Sequence, residues 1–175
     1  LQDSRGFVWF GTRQGVQRYD GEQFQTFTDL DGQLRHKNVH RILEDDNGKL
    51  WIFHGNDGAS RLRLPQHEWV VGIDIIDINT LEVTPYPEFF SGKNAPEETK
   101  MLYACNGPDQ SLFVYTLDSL LFKYSAKGSW EKIFQGGLSE LYTGLLPGRK
   151  HIWLQENDSV MTCIDYEGNV LTRIT

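Results

Sequence analysis

Apolar and polar positions alternate along this chain in short bursts, and Gly, Asn, Asp and Ser close each burst, which is the signature of strands joined by turns. In "DSRGFVWFGTRQGVQRYDGEQFQTFT" a turn leads into Trp9, a second turn follows at Arg13-Gln14-Gly15, and Tyr19, Phe24 and Phe27 mark two further runs. "ILEDDNGKLWIFHGNDGASRLR" repeats the order around Trp51. Helical spacing never lasts beyond about two turns, so the pattern predicts an all-β chain.

Trp9, Trp51, Phe113 and Trp153 fall into register when the chain is aligned on its bulky aromatics. Each follows a reversal (Asp3 to Gly6, Asp45 to Gly48, Gly107 to Ser111, Pro147 to Lys150), and each is followed by a polar break and another apolar position: Tyr19, Leu62, Tyr124 or Ile164. The aromatics stand 42, 62 and 40 residues apart. A period near forty with strand, turn and strand in each unit predicts a β-propeller fragment of about four four-stranded blades. The predicted blades cover residues 1–30, 31–96, 97–136 and 137–175. The four aromatics are then packing residues between blades. The second unit carries a surplus between Leu62 and Met101, where "GIDIIDINTLEVTPY" reads as a strand pair around Asn79-Thr80 and "GKNAPEETK" as an exposed loop. The first unit opens on Leu1-Gln2 where the second has a full inner strand over residues 38–43, so the expectation is roughly half of a larger ring. Exposed blade faces and an unpaired edge make a homodimer a further expectation.

With 175 residues, 39% hydrophobic and 13% aromatic, the chain can build a dense core. Its net charge of −7 and the lack of any Lys/Arg stripe argue against nucleic acid, and no apolar run is long enough for direct membrane insertion. Cys105 and Cys163 show no metal-ligand spacing.

In "DSRGFVWFGTRQGVQRYDGEQFQTFT" the order of turn, Trp9, Gly11-Thr12, Gly15, Arg18-Tyr19-Asp20 and two spaced phenylalanines resembles the two-component regulator propeller repeat, found in the sensor half of bacterial hybrid two-component receptors. The resemblance is strong over residues 1–28, fair over "ILEDDNGKLWIFHGNDGASRLR", and slight in the last two units, where Phe113 replaces Trp and Gly-Thr is absent. It implies a periplasmic sensor module that binds polysaccharide breakdown products without transforming them. The remaining propeller blades and a histidine kinase are expected outside this chain.

Connections between blades and the middle turn of each blade share one face of a propeller, and binding residues favour such loops. The candidates there are Arg13, His36, Asn38, His40, His54, Asp57 and Tyr142, donors and acceptors that suit an oligosaccharide or another polar ligand. No metal or cofactor is expected: His36 and His40 flank a strand start, and no calcium loop is complete. No catalytic residue is assigned, since no nucleophile and base motif occurs. Glu44, Asp45 and Asp46 read as a solvated turn on the opposite face. Two alternatives stay open: a propeller lyase or glycosidase built on His36, His40 and His54, and a scaffold that holds protein partners.

Overall fold

A computed structural model describes residues 1–30, 32–55, 70–91, 94–137, 144–156 and 159–175. The chain forms two compact units, Leu1–Lys93 and Asn94–Thr175, and each contains two antiparallel sheets packed face to face.

In the first unit, β1 (Val8–Thr12), β2 (Gly15–Tyr19) and β3 (Phe24–Phe27) form a three-stranded sheet, and Gln2 adds only a single bridge to Val8. The second sheet runs β4 (Val39–Glu44), β5 (Lys49–Gly55), β6 (Val70–Asp77) and β7 (Val83–Pro85), followed by the short helix α1 (Tyr86–Phe89). In the second unit, β8 (Met101–Asn106), β9 (Leu112–Thr116), β10 (Leu120–Tyr124) and β11 (Trp130–Gln135) form the third sheet. The fourth is β12 (Gly144–Pro147), β13 (His151–Gln155), β14 (Met161–Asp165) and β15 (Val170–Ile174). Every sheet is a meander in which neighbours in sequence are neighbours in space, as the repeat predicts.

The turn before each tryptophan of the first unit has a common cause. Asp3 Oδ1 accepts from the backbone N–H of Arg5 and Phe7 at 3.0 and 2.9 Å, while Oδ2 accepts from Trp9 Nε1 at 2.7 Å. Asp45 does the same for Asn47, Lys49 and Trp51 at 2.9, 3.0 and 2.9 Å. Gly6 and Gly48 supply the left-handed residue of each turn, with φ of 92° and 68°. In the third sheet Gln110 takes that conformation instead, with φ of 59°.

The turn at residues 44–46 therefore corrects the solvated reading. Asp45 and Glu44 are buried and only Asp46 is exposed. Glu44 accepts from the backbone N–H and the hydroxyl of Ser4 at 2.8 and 2.6 Å, tying the second sheet to the first. Carboxylates survive burial here because N–H and O–H donors replace water around them.

The aromatic register also differs in two places. Trp9, Trp51 and Phe113 are fully buried, but Trp153 is half-buried, and the core of its strand is made by Ile152 and Leu154 on the other face. Trp9 pairs with Arg18, Phe113 with Lys123 and Trp153 with Cys163, about ten residues on, whereas Trp51 pairs with Ile75. The third strand of the second sheet is thus β6, and part of the surplus lies between β5 and β6. Leu62 falls outside the described residues. The strand pair around Asn79-Thr80 is the β6–β7 hairpin.

Candidate functional site

The connection from β3 to β4 lies against the end of the second sheet in the first unit. Gly55 N–H donates to the Asn38 carbonyl at 3.0 Å, and the Asn38 side chain returns a bond to the Gly55 carbonyl at 3.4 Å. Close approach is possible because β5 and β6 offer glycines here: a Cβ on Gly72 would lie 2.8 Å from the His36 ring, and one on Gly55 3.3 Å from His40 Cβ. The result is a cleft of about 290 Å³ lined by Asp29, Arg35, His36, Lys37, Asn38, Gly55 and Val71.

Beneath it lies a buried charged group. Asp74 Oδ1 accepts from Arg35 Nε at 2.9 Å, and Oδ2 accepts from the Arg35 backbone N–H at 2.9 Å and faces His54 Nε2 at 2.8 Å. The Arg35 guanidinium also donates to the Ile73 carbonyl. Burial pushes the Asp74 carboxyl up, but the bonds from His54 and Arg35 outweigh it and hold it below the usual carboxylate range. His54 is fully buried and its Nδ1 has no hydrogen-bond partner. The His36 ring centroid lies 5.6 Å from that of His54. Asp74, braced by His54, thus holds Arg35 from below, while Lys37 stands exposed at the cleft. The donors and acceptors of the lining suit a hydroxylated or charged small molecule, while Val71 adds an apolar wall.

Of the sequence-predicted residues, the structure brings together His36, Asn38 and His54, with His40 exposed on β4 beside Gly55. Arg13 is exposed on the β1–β2 turn and does not line the cleft. Asp57 and Tyr142 lie outside the described residues. Among the described residues no group of three His, Cys, Asp or Glu side chains could hold a metal ion, and no helix is long and apolar enough to cross a membrane.

Sequence reasoning missed Asp74. Its signal was one acid in the apolar run Val70 to Ile76. A second missed signal is periodic: the residue three past each repeat aromatic is polar, namely Thr12, His54, Thr116 and Glu156. The last three are buried. Glu156 occupies the His54 position of the second unit and ties down the β11–β12 connection, accepting from Gly137 N–H at 2.6 Å and from Thr162 and Arg173.

No curated protein matches the chain in sequence. Among solved structures it is similar to the extracellular domain of a protein described as a one component system from B. thetaiotaomicron, with 18% identity and a TM-score of 0.65 over 93% of this chain and 21% of that one. It is also similar to the extracellular domain of a B. thetaiotaomicron hybrid two component system, with 17% identity and a TM-score of 0.58 over 99% of this chain and 22% of that one. A catalytically inactive virginiamycin B lyase from Staphylococcus aureus, solved with quinupristin, gives 15% identity and a TM-score of 0.63 over 100% of this chain and 54% of that one. These identities establish the shared propeller fold, and the chain spans about a fifth of the two receptor chains and about half of the lyase. Residues 33–56 match the two component regulator propeller family, a span centred on the second repeat rather than the first. The chain is therefore a propeller of about four blades that carries a two component regulator propeller repeat over residues 33–56, similar in fold to the extracellular domains of such receptors.

Proposed function

We propose that this chain is the ligand-sensing part of an extracytoplasmic, periplasmic propeller in a two-component receptor, and that it binds a polysaccharide-derived oligosaccharide or a similar polar ligand. One observation carries the reading: Arg35, His36, Lys37, Asn38 and Gly55, most of the cleft lining, lie inside the span that matches the regulator family. Ligand binding would act on the connection that joins two sheets, and so bias their packing and, through further blades, a histidine kinase elsewhere in the receptor.

Buried His54 favours binding over catalysis as the role of this cleft. Its Nε2 is committed to Asp74 and neither ring nitrogen reaches solvent, so it offers a substrate no base. The lyase reading keeps His36 and His40, on a likeness of fold alone.

Thermal-shift measurements with a panel of neutral and uronic oligosaccharides test this. A ligand at 100 times its Kd stabilises by about 2.7 kcal/mol, and His36→Ala is expected to abolish the shift. A ligand recovered unchanged supports sensing, and one that is consumed supports the enzyme. A shift untouched by His36→Ala removes the cleft as its site.

A further inference from the structure

In both units an arginine meets a buried carboxylate by the same edge. In the first, Arg35 donates from Nε to Asp74 Oδ1 and from Nη2 to the Ile73 carbonyl. In the second, Arg173 on β15 donates from Nε to Thr162 Oγ1 at 3.0 Å and from Nη2 to Glu156 Oε1 at 2.7 Å. The Thr162 hydroxyl in turn donates to that same Glu156 oxygen, and Gly137 N–H donates to the other at 2.6 Å. Each carboxylate therefore holds an arginine and also accepts a backbone N–H of the connection between sheets, from Arg35 or from Gly137. The two units reach this arrangement from different places, Asp74 lying on the third strand of its sheet and Glu156 just past the second.

Stability alone gives little reason for such a pair. Well-packed apolar residues in place of a buried ion pair are often neutral or stabilising, and Arg173 gives up side-chain freedom while 50% of it stays in water. What the arrangement secures is direction. A guanidinium is a flat fork of N–H groups that grips by its side or by its end. The side formed by Nε and Nη2 is taken by Thr162 and Glu156, so the end formed by Nη1 and Nη2 is turned away from them, and Arg173 has no other partner among the described residues.

Register fixes which way this arginine faces. Arg173 pairs with Thr162 and Thr162 with Leu154, a residue of the core shared with the third sheet. Directly paired residues share a face, so Arg173 stands on the side of the third sheet, opposite to Trp153, Cys163 and Thr172, which pair with one another. Blades following the fourth sheet would meet that opposite face and leave the arginine open.

We propose that Arg173 anchors a second ligand site, in the second unit, and that its outer edge takes the oxyanion of an acidic sugar, a carboxylate or a sulfate ester. Such groups present two oxygens that match the fork and bind it through parallel charge-assisted bonds. Glu156 is the positioning residue: it sets the fork before the ligand arrives, so less freedom is lost on binding. Its own charge is met by Thr162, Gly137 and Arg173, on the side of the guanidinium away from the ligand. That a sugar bears the oxyanion rests on the ligand reading above; the oxyanion site itself does not.

Titration of the isotope-labelled chain with galacturonate, galactose sulfate and neutral galactose tests it, followed in N–H correlation spectra that include Arg173 Nε. An acidic probe is expected to shift Arg173 Nε–H and the Gly137 and Thr162 amides saturably, while galactose leaves them in place; the acid that does so names the oxyanion. Arg173→Gln is expected to abolish the Gly137 and Thr162 shifts, with Arg173→Met in its stead if the rest of the spectrum shows that it is unfolded. Glu156→Gln, which keeps the fork but frees it, is expected to weaken binding several-fold. Silence of Gly137 and Thr162 with both acids up to their solubility limits overturns the inference, as do shifts that survive the loss of Arg173 or that galactose matches. Shifts confined to Lys37, Asn38 and Gly55 overturn it while upholding the cleft of the first unit, and shifts confined to the second unit uphold it and remove that cleft as the acid's site.

Discussion

The two units repeat one design, a pair of meanders joined by a connection that crosses their edge, yet they fasten it differently. In the first unit each tryptophan is locked to a turn aspartate, and Trp51 is further covered by Tyr86 and Phe90, with ring centroids at 5.9 and 5.5 Å. In the second unit Phe113 has no ring N–H to donate, and the turn before Trp153 begins with Pro147 where the first unit has Asp3 and Asp45. Trp153 makes an edge contact with His151 and stays half-buried. The surplus residues of the second repeat explain part of this contrast, since they include α1, which bears Tyr86 and is followed at once by Phe90. An identical repeat position is core in one unit and surface in the other because of what the chain lays over it.

The contrast is broken most strongly at the tryptophans. Trp51→Ala is expected to cost about 3–5 kcal/mol in urea unfolding, as for a fully buried aromatic, whereas Trp153→Ala is expected to cost less than half as much. Equal losses would show that half-burial undervalues Trp153.

Asp74→Ala comes next, at about 3 kcal/mol, because Arg35 and His54 would lose their shared anion in the interior. Asp74→Asn keeps the shape and isolates the charge. Since the folded carboxyl sits below its unfolded value, its stabilisation is fully present above the ordinary aspartate pKa of about 4 and is lost as pH falls through the lower folded value. The stability gap between the unaltered chain and Asp74→Asn should therefore be constant near neutrality and close in acid. Glu156 is the counterpart in the second unit: burial raises its carboxyl, but Thr162, Gly137 and Arg173 together lower it further. Glu156→Gln should show the same closing gap.

Asp45→Ala should cost about 2 kcal/mol for three donors left without a buried acceptor. Asp109→Ala, whose carboxylate serves only the backbone N–H and hydroxyl of Ser111 among the described residues, should cost about 1 kcal/mol or less. Gly72→Ala is of the same order, because the His36 ring, 2.8 Å from the added Cβ, must shift. A change of about 1 kcal/mol is expected, with shifted His36 ring proton resonances as the readout.

Much of this comparison was legible in the sequence and some was not, for physical reasons. The repeat aromatics and turns could be read because strand alternation and turn chemistry are local. For the same reason the β6–β7 hairpin and the grouping of His36 and Asn38 with His54 emerged from loop position. Asp74 did not, because its pairing with the strand of Trp51 spans an interrupted period that hides which residue faces His54. Glu44 and Asp45 looked like a solvated charge run because sequence does not display the N–H groups that surround them. Trp153 looked like core because its motif position matched Trp9, while burial depends on what lies opposite.

The polar residue three past each aromatic has a consequence for how such proteins diversify. It closes its own turn in Thr12 and Thr116, but in His54 and Glu156 it reaches, directly or through Asp74, the connection between sheets. One substitution there can re-aim a connection between sheets while the apolar residues beside it keep the sheets together. A lineage built on this repeat can therefore vary its connections one blade at a time, with each trial confined to a single sheet's rim.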